Sequence, residues 1–482
     1  MSDYEVVIGL EVHAQLLTRS KMFCGCSAAF GAAPNSQTCP ICQGMPGVLP
    51  VINRRAIELA MRTARALDCQ INAGCRFARK HYFYPDMPKN FQISQYEEPL
   101  AEEGWLEVEH EGRLRRIGVQ RLHLEEDVGK LVHPTSFAEA TWSWVDFNRS
   151  GVPLMEIVSK PDLREPAEAA EYLRQLRAIL RALGVCDGNM EEGSLRCDAN
   201  ISLRPRGRAE LGVKVEIKNM NSFKHVQRAL EFEAGRQARA LERGERIVQE
   251  TRLFDPDRGE TIAMRSKEYA HDYRYFPEPD LVPLRIDPAW VAEIEAALPE
   301  LPRARRERFR AEYGLPLYDA DLLTSDPALA GYFEEVVRFH PNPKAASNWI
   351  MSELLRELKG DPGAVITFAI RPAHLATLLR LVDGGTISGK IAKELFERMA
   401  RTGEDPEVIV REEGLIQVVD TQALAKVVDE VVTRHPQAVA DFLDGKKQSL
   451  GFLVGQVMKA TQGKANPQLV NQLLLERLAP PA

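Results

Sequence analysis

Hydrophobic and polar residues alternate near the start of the chain. Val6, Ile8, Leu10, Val12, Ala14 and Leu16 fall on one side of an extended segment, with Glu11 and His13 on the other, which is the two-residue period of a half-buried strand. The period returns at Leu195, Cys197, Ala199, Ile201 and Leu203, leaving Arg196, Asp198, Asn200 and Ser202 on the second face. It returns again where Val213, Val215 and Ile217 alternate with Lys214, Glu216 and Lys218. Helical spacing separates these stretches. Residues 52–67 read as one helix, and Pro166 opens another whose Leu173, Leu176, Leu180 and Leu183 form a stripe ended by Gly184. Asn221-Ser222 caps a third helix that begins near Phe223. Strands mixed with helices, without strict β-α-β alternation, predict an α+β domain on a largely antiparallel sheet.

Pro277-Glu278-Pro279-Asp280 and Pro283 interrupt that pattern, and the remainder reads as almost wholly helical. A second break at Thr402-Gly403-Glu404-Asp405-Pro406 divides the helical part, so the expected domains are 1–292, 293–405 and 406–482. Residues 303–310 carry five arginines, a solvated helix face or, alternatively, an anion-binding patch. The last piece, with Gly445-Lys446-Lys447 and the lysine-bearing stretch 459–464 between apolar helices, reads as a small helical domain of its own.

A length of 482 residues suits about three domains. The 44% apolar and 27% charged content is that of a soluble globular protein. No apolar run has bilayer-spanning length, and Met1-Ser2-Asp3-Tyr4-Glu5 lacks the regions of a signal peptide, so a cytoplasmic protein is expected. The net charge of −7 argues against a generic nucleic-acid coat and leaves local basic patches open.

Three distant segments place carboxylates in an apolar, strand-like context: Gly9-Leu10-Glu11-Val12-His13, His123-Leu124-Glu125-Glu126-Asp127 and Pro153-Leu154-Met155-Glu156-Ile157. Acids among apolar neighbours are costly to bury unless they meet something positive. The bland reading is solvent-facing acids on a half-exposed sheet; the chemical one is a hard-cation site of the Mg²⁺ type, with oxygen ligands and one imidazole. Glu125 and Glu126 are adjacent, so in a regular strand they face opposite sides and do not share an ion without a bend.

Four of the eight cysteines form Cys24-Gly25-Cys26 and, twelve residues on, Cys39-Pro40-Ile41-Cys42. In a cytosolic protein two close pairs suit a tetrahedral zinc site better than disulfides, the alternative being four reduced thiols on a loop. Cys69, Cys75, Cys186 and Cys197 show no such pairing and read as core residues.

Gly384-Gly385-Thr386-Ile387-Ser388-Gly389-Lys390-Ile391 nearly matches a phosphate loop, but Ile391 stands where a Ser or Thr would ligate Mg²⁺, and the preceding residues 375–382 are helical. A helix–loop–helix turn that exposes Ser388 and Lys390 is the better reading, and these groups can still grip RNA phosphates. There is no Gly-x-Ser-x-Gly elbow, no His-Glu-x-x-His pair and no serine-rich amidase loop. The chain therefore carries no nucleophilic machinery for releasing ammonia from an amide. Residues 79–89 and 269–279 mix bases and aromatics as candidate binding surfaces.

Together these segments resemble the GatB/GatE family, the B subunit of the aspartyl/glutamyl-tRNA(Asn/Gln) amidotransferase. The matching stretches are Val7-Ile8-Gly9-Leu10-Glu11-Val12-His13, Tyr82-Phe83-Tyr84-Pro85-Asp86, His123-Leu124-Glu125-Glu126-Asp127, Glu191-Glu192-Gly193-Ser194-Leu195-Arg196-Cys197-Asp198-Ala199-Asn200 and Asp272-Tyr273-Arg274-Tyr275-Phe276-Pro277. Gly451-Phe452-Leu453-Val454-Gly455-Gln456 and Asn466-Pro467-Gln468 are similar to the family's tail domain, so the resemblance spans essentially the whole chain.

The resemblance implies a catalytic cradle at 1–292, a helical domain at 293–405 and a tRNA-binding tail at 406–482. It implies an ATP-dependent carbon–nitrogen ligase acting in two steps. ATP phosphorylates the side-chain carboxylate of Glu or Asp misacylated on tRNA(Gln) or tRNA(Asn), and ammonia then displaces the phosphate to leave the amide. A separate amidase-type glutaminase A subunit would supply the ammonia and a small C subunit would stabilise the pair, with the misacylating synthetase as a further partner. His13, Glu125 and Glu156 resemble one Mg²⁺ set at the reaction centre, and Glu11, Glu126 and Asp198 a second. Lys80 and Lys89 resemble polar residues of the ammonia route and reaction chamber, and Ser388, Lys390 and Lys393 stand as tRNA contacts. The four-cysteine cluster occurs in only part of the family, which makes its zinc structural. A stand-alone metal-dependent phosphohydrolase and a non-catalytic tRNA-binding scaffold remain the competing readings.

Overall fold

The computed structural model describes residues 3–132, 142–264, 273–359, 362–415, 421–446, 448–461, 465 and 467–478. Tyr269, Asp272, Lys447, Lys464 and Asn466, which belong to stretches singled out above, lie outside them. The chain divides into two compact units, Met1–Leu301 and Pro302–Ala482. Among the described residues no helix is long and apolar enough to cross a membrane.

The first unit is α+β. Its main sheet has nine strands: β1 (Tyr4–Gln15), β2 (Gln70–Ile71), β3 (Ala101–His110), β4 (Arg113–Glu126), β5 (Pro153–Ser159), β6 (Leu195–Pro205), β7 (Val215–Lys218), β8 (Thr251–Asp255) and β9 (Glu260–Ala263). They lie in the order β9-β8-β7-β6-β1-β5-β4-β3-β2. Neighbours are antiparallel except β7 and β8, which run parallel. The largely antiparallel sheet expected from the period-two stretches is present. Val213 is not part of it: this residue is exposed, and pairing begins only at Val215.

One face of the sheet is apolar. Ile8, Leu10, Val12 and Ala14 of β1, Leu122 and Leu124 of β4, and Met155 and Ile157 of β5 are buried. They share a core with three helices, α1 (Arg54–Ala66), α2 (Pro166–Ala182) and α3 (Phe223–Glu242). The helix starts follow local chemistry. Asn53 accepts from the Arg55 amide, Pro166 occupies the first turn of α2, and the Ser222 hydroxyl accepts from the His225 amide at 3.1 Å. Burying this face forces the alternate residues of the same strands onto the other side. That second side carries the polar groups.

The hairpin of β3 and β4 turns through Glu111 and Gly112, at φ 50° and 72°. Two successive left-handed residues make the turn whose twist matches the strands it joins. A small three-stranded sheet of Phe276–Pro277, Ala78–His81 and Phe91–Ser94 carries Lys80 and Ser94.

The second unit is helical. Helices from Pro302–Tyr313 to Pro406–Glu413 enclose one apolar cluster that includes Phe309, Phe333, Leu379 and Phe396. A second cluster, with Leu424, Val428, Leu453 and Leu474, gathers the last helices. Ile409 and Val410 pack into the first cluster, so the break expected before Pro406 falls one helix early. Gly403 closes the preceding helix at φ 71°, and Asp405 caps the next through the Glu407 amide. The Thr-Gly-Glu-Asp-Pro segment is thus a tight turn between packed helices. Arg306 pairs with Asp321, Arg308 with Glu334 and Arg310 with Glu307, so this basic helix follows the reading of a solvated, ion-paired face.

A candidate cation centre on the polar face of the sheet

The centre of the sheet sets its polar residues in rows. His13 on β1 is the register partner of Glu156 on β5, and Glu156 is the partner of His123 on β4. Glu125, two residues beyond His123, stands on the same face of β4. The ligand atoms of His13, Glu125 and Glu156 all lie within 4.8 Å of one another. His13 Nε2 is 3.4 Å from Glu156 Oε2 and 3.8 Å from Glu125 Oε1. Glu125 Oε2 accepts from the Ser94 hydroxyl at 3.1 Å. Three segments far apart along the chain are thus gathered by cross-strand pairing. Two carboxylates and an imidazole converging from apolar strands form a donor set that fits a small divalent cation.

The electrostatics agree with that fit. Both carboxylates are buried, and burial alone would raise them. Against it, the neighbouring His123 and the charges of Lys80 and His13 hold Glu125 below its ordinary value. The charge and hydrogen bonds of His123 and His13 hold Glu156 well below it. Burial would lower both imidazoles, but Glu156 and Glu125 outweigh it; His13 is raised, and His123 is raised to about 9. Without a cation, protons on the imidazoles supply the positive charge that the carboxylates demand.

Lys80 stands near this cluster. Glu125 and Glu156 raise its pKa against the pull of burial, and its ammonium lies 5.0 Å from the Tyr273 ring centroid. Lys89 does not join the cluster: it pairs with Glu126, which also accepts from the Ile93 amide at 2.9 Å. Glu126 leaves β4 on the side opposite Glu125, as parity requires. Consequently the structure does not bring Glu126 to Glu11 and Asp198. Those two are register partners across β1 and β6. Asn200 donates to Glu11 at 2.9 Å, and Lys218 pairs with Asp198 at 2.6 Å. Burial, then the charges of Glu156, Glu216 and Asp198, raises the pKa of Glu11.

Arg196, the register partner of His13 on the β6 side, makes a two-pronged bond to Asp127 at 3.0 and 3.1 Å. Beside it opens a cavity of about 560 Å³, with Lys130, Arg149, Arg196, Asp198 and Asn219 in its lining. Sequence reasoning left His123, Arg196 and Lys218 without a role. Strand period offered a signal for each, since they share parity with Glu125, with Asp198 and with Glu216.

The sulfurs of Cys24, Cys26, Cys39 and Cys42 also lie within 4.8 Å of one another. The Cys39 amide points at Cys42 Sγ from 3.1 Å, which suits a thiolate at a metal. Cys69, Cys75, Cys186 and Cys197 are buried singly, as core residues. In the second unit, Ser388 is the half-buried cap of Gly389–Thr402 and accepts from the Ile391 amide. Lys390 is 86% exposed, while Lys393 pairs with the buried Glu353 at 2.8 Å. The near-match to a phosphate loop is therefore a helix–loop–helix turn.

Comparison with known proteins places these features. Residues 6–292 match the GatB/GatE catalytic domain, and residues 331–478 match the GatB domain. A protein of Carboxydothermus hydrogenoformans, named as the B subunit of aspartyl/glutamyl-tRNA(Asn/Gln) amidotransferase, is 56% identical over 479 residues, covering 99% of this chain and 100% of that one. Proteins of the same name from Thermodesulfovibrio yellowstonii and Moorella thermoacetica are also 56% identical. These alignments cover 99% of this chain in both cases and 99% and 100% of the relatives.

Proposed function

The chain belongs to the GatB/GatE family, and from that premise we propose that it is the ATP-using subunit of a tRNA-dependent amidotransferase. The observation that carries the reading is the convergence of His13, Glu125 and Glu156 within 4.8 Å on the polar face of the sheet. Its substrate is Glu or Asp misacylated on tRNA(Gln) or tRNA(Asn). The side-chain carboxylate attacks the terminal phosphorus of ATP and ADP leaves; ammonia then attacks the acyl carbon, phosphate leaves, and the amide remains.

Both reactants of the first step are anions, so the step needs positive charge between them. A Mg²⁺ held by His13, Glu125 and Glu156 would supply it by neutralising charge on the phosphoryl oxygens. Lys80, near the same carboxylates, adds a fixed ammonium. Glu11 and Asp198 stand as ligands of a second cation; Glu126 is left out of that set, being engaged by Lys89. ATP fits the cavity beside Arg196, whose volume lies in the usual range for ligand pockets. Lys130, Arg149 and Arg196 bring positive charge to its phosphates.

The four clustered cysteines hold a structural zinc. Ammonia comes from a glutaminase A subunit accompanied by a small C subunit, consistent with the absence of amidase motifs from this sequence. The last helices, together with exposed Lys390 on Gly389–Thr402, contact the tRNA body. The deciding experiment measures ATP consumption with and without misacylated tRNA in the partner's presence. Consumption that depends on charged tRNA is the expected result. Turnover without it would make the chain a phosphohydrolase, and none in either case would make it a scaffold.

A further inference from the structure

Resting on the cation-site reading above, we infer that His123 is a positioning residue that steadies the carboxylates of Glu125 and Glu156 so that they and His13 face the cation. The two imidazoles meet different oxygens of Glu125 and the same oxygen of Glu156. Glu125 Oε1 looks toward His13 at 3.8 Å, whereas Glu125 Oε2 looks toward His123 Nε2 at 3.9 Å and accepts from Ser94. Glu156 Oε2 is flanked by both imidazoles, His13 at 3.4 Å and His123 at 3.3 Å. The group whose ligand atoms all fall within 4.8 Å contains His13 but not His123. His123 therefore borders the same carboxylates without joining the group of candidate ligands.

Its surroundings separate it from His13 as well. The His13 side chain is 18% exposed and that of His123 only 4%. His123 Nδ1 is buried without a hydrogen-bond partner. An unpartnered buried nitrogen is a cost that an apolar residue of the same bulk would avoid. What the ring offers in return is an Nε2 set 3.3 Å from Glu156 Oε2 and 3.9 Å from Glu125 Oε2, and carboxylates that ligate a cation depend on such outer partners for their orientation. The strand pairing fixes the approach: His123 is the register partner of Glu156, and Glu125 follows it by two residues on the same face.

The test compares His123→Leu, His123→Gln and Glu156→Gln in the full chain assembled with its partner subunits. Mn²⁺ alone is the probe, and its binding is followed by the loss of the free-ion paramagnetic resonance signal. Leu removes the donor at similar volume, while Gln can place an N–H near the position of Nε2. His123→Leu is expected to weaken Mn²⁺ binding by about 10- to 100-fold, the usual cost of losing such a partner, and His123→Gln to recover most of it. In amidation assays, raising Mg²⁺ should restore the kcat of His123→Leu, because the defect lies in holding the ion. Wild-type affinity in His123→Leu, or a loss in His123→Gln as deep as in the leucine variant, would overturn the inference. If His123→Leu does not fold, the glutamine variant decides alone: near-normal affinity supports the inference and a roughly tenfold loss overturns it. Glu156→Gln separates the two levels of the argument. Mn²⁺ binding unaffected by that change removes the cation site itself, whereas loss there with normal binding in the His123 variants removes only the role of His123.

Discussion

Glu156 stands directly across from His13 in the antiparallel pair of β1 and β5, and its Oε2 lies 3.4 Å from the His13 Nε2. Neither residue is near the other in sequence, and neither lies in a loop. Rigid neighbouring strands set their separation, which is what a metal centre that must hold its geometry through a reaction requires.

Replacing Glu125 by glutamine keeps shape and removes one charge from this pair of carboxylates. A surface acid would tolerate that change within about 0.5 kcal/mol. A cation ligand would not, because a neutral amide binds a hard ion poorly. Single-turnover amidation with ammonium supplied directly should fall by roughly 100-fold or more in Glu125→Gln, with folding and tRNA binding retained. A near-normal rate would show that the acid cluster is not the reaction centre.

Acidity and cation binding are linked through the imidazoles. The folded-state values of His13 and His123 lie above the ordinary 6.5, His123 at about 9. In cation-free protein their stabilising contribution is full below about pH 6.5 and is lost as pH rises through those raised values. Glu125 and Glu156 are depressed, so their contribution is present above the ordinary 4.5 and is lost as pH falls through their folded values. A cation must displace the proton of His13, so Mn²⁺ affinity should rise with pH across the imidazole window, with up to about one proton released per ion. Calorimetry in buffers of different ionisation enthalpy measures that proton. Affinity independent of pH would contradict this assignment of His13.

The four-cysteine loop makes a separate prediction. Cys39→Ser should lower bound zinc and stability together, the latter by at least about 2 kcal/mol, while protein that remains folded keeps its amidation chemistry. Zinc analysis of freshly purified wild-type protein is the direct check, and a reading of zero would refute it.

Ending the chain at residue 420 removes the last apolar cluster without cutting the one before it. Such a truncation is expected to raise the KM for charged tRNA by roughly tenfold or more and to leave the partner's glutamine hydrolysis nearly unchanged. Filter binding that shows wild-type tRNA affinity would rule this role out.

How much of this was legible in the sequence depended on which physical signal each residue carried. His13 and Glu156 stood out because acids and an imidazole interrupted apolar strands; strand period put His13 with Glu11, and only the register set Glu156 across from His13. His123 carried the same period as Glu125, yet a histidine in a strand more often satisfies a core than a site, so its place became visible only through the register with Glu156. Glu126 was grouped with Glu11 and Asp198 by family resemblance, while parity already sent it the other way, to Lys89. The hairpin of β3 and β4 gave little warning, since Glu111 occupies a left-handed position usually held by Asn, Asp or Gly. The break before Pro406 misled because a helix stop followed by a helix cap has the same composition as a linker.

Glu125 and Glu126 make β4 a partition one backbone thick, with the His13–Glu125–Glu156 cluster on one side and the Lys89 ion pair on the other. Each carboxylate reaches its own compartment only by its odd or even place in the strand. The register of β4 with β5 is irregular between Val119 and Arg121; beyond it, a deletion or insertion of a single residue between Leu122 and Glu125 would exchange the faces of the two acids. The spacing from Leu122 to Glu125 is therefore under tighter constraint than the composition of the strand: exposed positions such as Arg113 and Leu114 can vary, but that spacing cannot.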